Sequence, residues 1–191
     1  AYAYIKLAQI RKDVGFWDEE VERLLVLSKA KFQKAGSLCG EAGAMRELAN
    51  YHKTSEKDGI GLRSCLEALE LSRACGDPEL VAISLATLGV AYQQTGEFEK
   101  ALEAHREELD IYQELENVEM QAVSKQEMAY IYASMNDIPR ANKIMLESAE
   151  LFKDMELDIR YANCITDLCA NYLDQNYPDS VIYFLPSVIE I

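Results

Sequence analysis

Between residues 85 and 112, mostly apolar positions fall in two blocks, the first alternating around a helix and the second recurring mainly at three- and four-residue steps. Leu85, Leu88, Val90 and Tyr92 make the first; Phe98, Ala101, Leu102, His105, Leu109 and Tyr112 make the second. Steps of three and four gather side chains on one face of an α-helix. Gly96 stands between the blocks and admits the left-handed turn that reverses a chain after a helix. The stretch therefore predicts two helices folded back on each other. Asp77-Pro78-Glu79 precedes the first block. It reads as a helix start: an N-cap acid, Pro at the first helical position, then an acid facing the helix dipole. Asn136-Asp137 before Ile138-Pro139 carries the same signal, and so does Tyr177-Pro178-Asp179.

Sliding the chain by forty residues superposes it on itself. Leu88, Gly89 and Tyr92 fall on Met128, Ala129 and Tyr132, then on Leu168, Cys169 and Tyr172, and backwards on Leu48, Ala49 and His52. At the start of the chain a one-residue slip is needed, giving Leu7, Ala8 and Arg11. The second block repeats as well: Ala101 and Leu109 fall on Ala141 and Ala149, then on Val181 and Ile189. Self-similarity at a fixed period marks a stacked array. The repeats divide the chain at about 1–37, 38–77, 78–117, 118–157 and 158–191. Ten helices and no strands are predicted, which leaves no parallel sheet and no nucleotide crevice of the α/β kind. Gly89, Ala129 and Cys169, with Ala101 and Ala141, mark where paired helices should approach closely.

The third repeat resembles the tetratricopeptide repeat (TPR) family. Leu88-Gly89, Tyr92, Gly96, Phe98 and Ala101 stand in that family's Leu-Gly, Tyr, Gly, aromatic and Ala positions. It departs at Leu85, where the family has Trp, and at His105 and Glu108, where it has an aromatic and an Ala. The forty-residue period is similar to the long-helix repeats of polarity adaptors such as LGN/Pins. The resemblance implies an all-α, right-handed superhelical solenoid of about five antiparallel helix hairpins, whose first helices line a concave groove. It implies a non-catalytic scaffold that binds a peptide or helix; the alternative is the regulatory or sensor arm of a larger multidomain enzyme or ATPase.

Superposing the repeats on the family pattern names the groove. The expected partner-binding residues are Gln9 and Lys12; Arg46, Asn50 and Lys53, beside Gly43; Ile83, Ala86, Val90 and Gln93; and Val123, Gln126, Tyr130 and Ala133. Tyr2 and Ile5 extend the set at one end, and Asn163, Thr166, Ala170 and Leu173 at the other. Lys12, Arg46, Asn50 and Lys53 make one stretch polar and cationic, while Ile83, Ala86, Val90, Val123 and Tyr130 make the middle apolar. The expected ligand is acidic over the first two repeats, with an apolar anchor over the third and fourth. Arg46 and Asn50 have the four-residue spacing of the basic–Asn pair in carboxylate-clamp repeats, but Ala86 and Val90 stand where that clamp needs polar and basic groups.

Composition narrows the partners. Apolar residues make up 49% of the 191, enough for a sizeable core. No apolar run reaches the ~20 residues of a membrane span. The net charge is −14, which opposes nucleic acid and anionic membranes as partners. Residues 1–80 hold 12 basic and 13 acidic side chains; residues 81–191 hold 7 and 20. A basic partner should therefore meet the later part of the chain. The first residue is Ala1, and apolar runs lie at both ends: Tyr2, Tyr4, Ile5 and Leu7, then Val181 to Ile189. A fragment of a longer chain is expected, with flanking repeats or self-association covering those ends.

Candidate chemistry is sparse. Five cysteines, an odd count with no close pair, predict reduced thiols in an intracellular, cytoplasmic protein rather than a disulfide framework. Cys164 and Cys169 are five apart, which separates them around a helix. His105 and His52 occupy packing positions of two different repeats. Asp58-Gly59-Ile60-Gly61 reads as a turn, and the acidic stretch Glu107, Glu108, Asp110, Glu114 and Glu116 as a solvated face. Met120, Met128, Met135, Met145 and Met155 read as core fillers. No catalytic residue, cofactor site or metal site is expected.

Overall fold

The computed structural model describes residues 1–16, 18–54 and 60–174. Among them are nine α-helices and no strands. They are α1 (Tyr2–Asp13), α2 (Glu19–Lys34), α3 (Leu38–Thr54), α4 (Ile60–Cys75), α5 (Pro78–Gln94), α6 (Phe98–Glu114), α7 (Val118–Ser134), α8 (Ile138–Asp154) and α9 (Asp158–Asp174). The fold is an all-α repeat. The second helix expected in the fifth repeat, with its Tyr177-Pro178-Asp179 start and the apolar run from Val181, lies outside the described residues, as do Asp58 and Gly59.

The repeat is visible in the helix boundaries. α3, α5, α7 and α9 begin at Leu38, Pro78, Val118 and Asp158, and α6 and α8 at Phe98 and Ile138. Two residues before most of these starts the backbone turns left-handed: at Gly36, Gly76 and Gly96, then at Glu116, Asn136 and Glu156. Each such residue follows a helix end, and all but Gly76 close it in the same way. After α5, Gly96 N donates to the Gln93 carbonyl and Glu97 N to the Tyr92 carbonyl. The second bond recurs as Ser37 N to Phe32, Asn117 N to Tyr112, Asp137 N to Tyr132 and Leu157 N to Phe152. This double bond satisfies carbonyls that a helix end would leave open. The next helix is then capped at once. Asp77 accepts from Glu79 N at 3.1 Å and Leu80 N at 3.3 Å, with Pro78 in the first turn. Asn117 accepts from Met120 N at 3.1 Å and Asp137 from Arg140 N at 3.3 Å. Asn136, read as part of a helix start, is instead the left-handed residue that ends α7.

The chain divides into two compact units, Ala1–Glu108 and Leu109–Ile191, with the division inside α6. In the first unit consecutive helices pack pairwise from α1 to α5, and α3 also touches α5. Its core gathers Ala8, Val21, Leu24, Leu25, Met45, Leu48, Tyr51 and Ala68. In the second unit α7 packs on α8 and α8 on α9, around Ala122, Ala129, Met145, Ala149, Phe152, Cys164, Ile165 and Leu168. Met145 is fully enclosed and Met128 nearly so, whereas Met135 is exposed, so the methionines do not act as one stripe.

Two sequence expectations are corrected. Cys39 and Cys75 form a disulfide, with Cα atoms 5.1 Å apart. Cys39 lies in the first turn of α3 and Cys75 ends α4; an antiparallel pair sets those two places side by side, although 36 residues separate them in sequence. Bridges persist in oxidising surroundings, so the thiol argument for a reducing, cytoplasmic setting falls away. Cys65, Cys164 and Cys169 remain free. Gly61, read as a turn residue, lies inside α4. A Cβ there would sit 3.1 Å from Lys53 Cα, so Gly61 marks close approach to α3.

Glu116 and Glu156 hold a backbone conformation that disfavours side chains by about 1 kcal/mol. Replacing either with Gly should raise the unfolding free energy by about 0.5–1 kcal/mol, read from urea denaturation, with a smaller gain at Asn136. A loss at Glu116 and Glu156 would mean that those residues are not left-handed. Removing the bridge by Cys39→Ser with Cys75→Ser should cost about 2–4 kcal/mol in the same assay, and an unchanged midpoint would show that the thiols are not joined.

Candidate interaction faces

In the first unit α3 is gripped by α2, α4 and α5, and α5 by α3 and α4. What remains is a narrow strip. Residues 41–50 and 81–90 show the same succession of buried and half-buried positions. On α3 the half-buried side includes Gly43, Arg46, Asn50 and Lys53, and on α5 Ile83, Ala86, Val90 and Gln93. Steps of three and four align each set along its helix. On α1, Gln9 and Lys12 are also half-buried. In the first unit the expected groove residues other than Tyr2, which is 70% exposed, thus sit neither in the core nor on a fully solvated face.

A buried carboxylate missed by the sequence reading organises the cationic part. Glu47 is only 6% exposed. Its Oε2 accepts from Lys12 Nζ at 3.1 Å and its Oε1 from Arg46 at 2.8 Å. The anion couples α1 to α3 and offsets much of the positive charge expected there. A signal for it existed: forty-residue steps from Glu47 reach Thr87, Glu127 and Asp167, a polar column between core positions.

In the second unit, Val123, Gln126, Tyr130 and Ala133 are half-buried along α7. The apolar character expected there stops at Tyr130. Its hydroxyl donates to Asp167 Oδ2 on α9 at 2.7 Å and accepts from Gln126 Nε2 at 2.9 Å. Burial, reinforced by the Asp167 carboxylate, raises the phenol well above its ordinary range, so it remains a proton donor. Beside it a small cavity of about 210 Å³ is lined by Ala129, Ala133, Met145, Asp167, Ala170 and Asn171 as well as Tyr130. On α9, Asn163, Thr166, Ala170 and Leu173 are exposed.

The histidines are structural. His52 hydrogen-bonds with Ser64 Oγ at 2.8 Å and with Glu22 at 3.1 Å. His105 is fully buried, and its Nδ1 donates to Glu108 at 2.7 Å. Glu108 therefore departs from the solvated stretch assigned to it: it is 1% exposed, while Glu107, Asp110, Glu114 and Glu116 face solvent. The physical reason is the substitution itself, since an imidazole at a core position brings a polar atom that needs a buried partner. His105 Nε2 has no hydrogen-bond partner and lies against Gly89, where a Cβ would come within 2.5 Å of it. Ala101, Ala129 and Ala141, expected with Gly89 at close approaches, are likewise buried, whereas Cys169 is only half-buried.

None of the free cysteines among the described residues resembles an activated nucleophile. Burial pushes the Cys65 thiol up to about 11 and raises Cys164 and Cys169 too, which keeps all three protonated at neutral pH. Among the described residues no group of three or more His, Cys, Asp or Glu could hold a metal ion, and no helix is long and apolar enough to cross a membrane.

Residues 41–114 match the tetratricopeptide repeat family model. That segment, 74 of the 191 residues, is similar to tetratricopeptide repeats. It spans α3 to α6, the helices whose strips and closures are described above. No curated protein matches the chain. Among solved structures, a putative kinesin light chain from Podosopora anserina with nearly identical TPR-like repeats is similar at 16% identity and TM-score 0.80, covering 99% of this chain and 93% of that one. A signal transduction ATPase with numerous domains from Pyrococcus horikoshii, with a tetratricopeptide repeat sensor, is similar at 23% identity and TM-score 0.77. That match covers 89% of this chain but 26% of the ATPase. A Rap protein complexed with competence and sporulation factor is similar at 11% identity and TM-score 0.63, covering 98% of this chain and 62% of that one. At these identities the likeness is one of fold.

Gly89→Ala tests the closest helix contact. The added methyl must displace His105 and with it the bond to Glu108, which should cost about 1–3 kcal/mol of stability by urea denaturation. A neutral effect would place the imidazole elsewhere.

Proposed function

We propose that this chain is a non-catalytic protein–protein interaction module that receives a peptide or helix along the strips of α3 and α5. One observation carries the reading. The two helices present the same half-buried strip, with Arg46, Asn50 and Lys53 on one and Ile83, Ala86, Val90 and Gln93 on the other. Side chains in this state can still lose accessible area, and Ile83 and Val90 gain most from covering. The ligand is an extended peptide or helix with a bulky apolar residue on Ile83 and Val90 and an acidic residue toward Arg46 and Lys53. Glu47 moderates the second contact, because an incoming carboxylate must share Arg46 with it. The polar contact then governs orientation and encounter rate more than affinity. Gln9 and Lys12 extend the strip in the first unit; Val123, Gln126, Tyr130 and Ala133 form the corresponding strip of the second. The forty-residue spacing of helix starts supports kinship with the long-helix repeats of LGN/Pins-type adaptors.

A second reading makes the chain the sensor arm of a larger ATPase or other multidomain enzyme. The likeness to the sensor-bearing ATPase favours it, with this chain matching 26% of that protein. Flanking sequence encoding a nucleotide-binding domain would decide for it.

Selection from a random peptide library should enrich ligands that pair acidic residues with a large aliphatic or aromatic one. Arg46→Glu with Lys53→Glu should weaken those ligands about tenfold and shift selection toward basic peptides, and Val90→Asp should abolish binding. Unchanged affinity in the charge-reversed variant would reject the acidic half of the reading. Failure to enrich any ligand would reject the module itself.

A further inference from the structure

The fourth repeat departs from its siblings at one core position. Forty-residue steps from Ile5 reach Met45, Leu85, Lys125 and Ile165. Met45, Leu85 and Ile165 are at most 3% exposed. Lys125 cannot leave its ammonium in such a place, and its stem carries the charge to the surface, where it pairs with Glu147. Its side chain is 24% exposed. Where the siblings have packed hydrocarbon, the second unit has a cavity of about 320 Å³. Leu109, Met128 and Ile144 supply its apolar lining, and Lys125, Arg140, Lys143 and Glu147 its charged lining.

The charge around this cavity is out of keeping with the chain that surrounds it. Residues 81–191 hold only 7 basic side chains against 20 acidic ones, and three of the seven line this cavity. Lys143 reverses the sign of its third-repeat counterpart, Glu103. The four charged lining residues sum to +2. Lys125 is committed to Glu147, and Arg140 holds Asp137 at 2.8 Å with its guanidinium 5.5 Å from the Tyr132 ring centre. Lys143 makes no ion pair among the described residues. A local excess of cation over an apolar recess concentrates anions that carry an apolar body. The volume lies at the lower end of small-molecule sites, roughly 300–1,000 Å³. A repeat that gives up a packed core residue for a charged one breaks its own pattern, and such breaks gather at functional positions.

We propose that this cavity binds a small amphipathic anion, its apolar body against Leu109, Met128 and Ile144 and its carboxylate-type head held by Lys143 and Arg140. The site is separate from the α3 and α5 strips, and it stands or falls without them.

Sodium decanoate below its micelle concentration is the probe, titrated into the full chain by calorimetry and by amide NMR. Saturable one-to-one binding is expected, with shifts centred on Lys125, Met128 and Ile144. Decyltrimethylammonium, of the same chain length and opposite charge, should bind at least ~10-fold more weakly, and Lys143→Glu should weaken decanoate by about tenfold. Lys125→Leu restores the sibling residue. It should fill the recess, raise the melting temperature and abolish decanoate binding, so that loss of binding in this variant does not reflect loss of the fold. Arg46→Glu should leave decanoate binding unchanged. The proposal is overturned if wild-type protein shows no saturable binding, if the cationic probe binds equally well, if Lys125→Leu binds undiminished, or if Arg46→Glu abolishes binding.

Discussion

A helix that ends in a left-handed residue must reverse, and the structure depends on that reversal recurring. From Gly76 to Glu156 the left-handed residues fall at twenty-residue intervals, at Gly76, Gly96, Glu116, Asn136 and Glu156. An aromatic carbonyl four residues earlier, from Tyr92, Tyr112, Tyr132 or Phe152, accepts the bond that closes most of these turns. Constant turn spacing makes constant helix length, seventeen residues in each helix from α5 to α9. Constant length repeats the same succession of positions along each helix, and the half-buried strips fall at matching places in it. The geometry persists where the residue is not Gly. Glu116 and Glu156 carry conformational strain because neighbouring packing fixes where the chain must turn.

The polar groups inside this scaffold are tied to one another. Glu47 holds Lys12 and Arg46, Glu108 holds His105, and His52 lies between Ser64 and Glu22. Each joins separate helices or braces a helix turn, and each replaces a nonpolar contact with a directional one. Such groups set pairing and register more than they add stability. The protonated thiols and the un-ionised Tyr130 fit a scaffold whose polar side chains hold geometry.

Small departures between repeats distinguish otherwise similar helices. On α3 and α5 the core positions agree while the strip residues diverge, from Arg46 and Asn50 to Ala86 and Val90. On α7 the divergence reaches a core position, and Lys125 exchanges packing for a cavity with cationic lining. The first kind of change alters the chemistry of a half-buried surface. The second opens a recess that a uniform array would not have. Both are visible only against the regularity of the rest.

Periodicity and punctuation in the sequence determined most of the fold. Three- and four-residue steps name the buried faces, and Gly, Asx and Pro mark several of the turns, because both act within one helical turn of chain. The forty-residue self-match carried this to the strips, and Gln9, Lys12 and the expected residues of α3 and α5 are half-buried. What the sequence left open depends on neighbours distant in the chain. The Cys39–Cys75 bridge exists because antiparallel helices bring residues 36 apart together. Glu47 and Glu108 are buried because charged or polar side chains on nearby turns and helices need them. The recess above Met128 exists because Lys125 leaves the core to reach Glu147. Local pattern decides where a helix begins and which side faces inward; only tertiary packing decides which polar atoms meet and where space is left over.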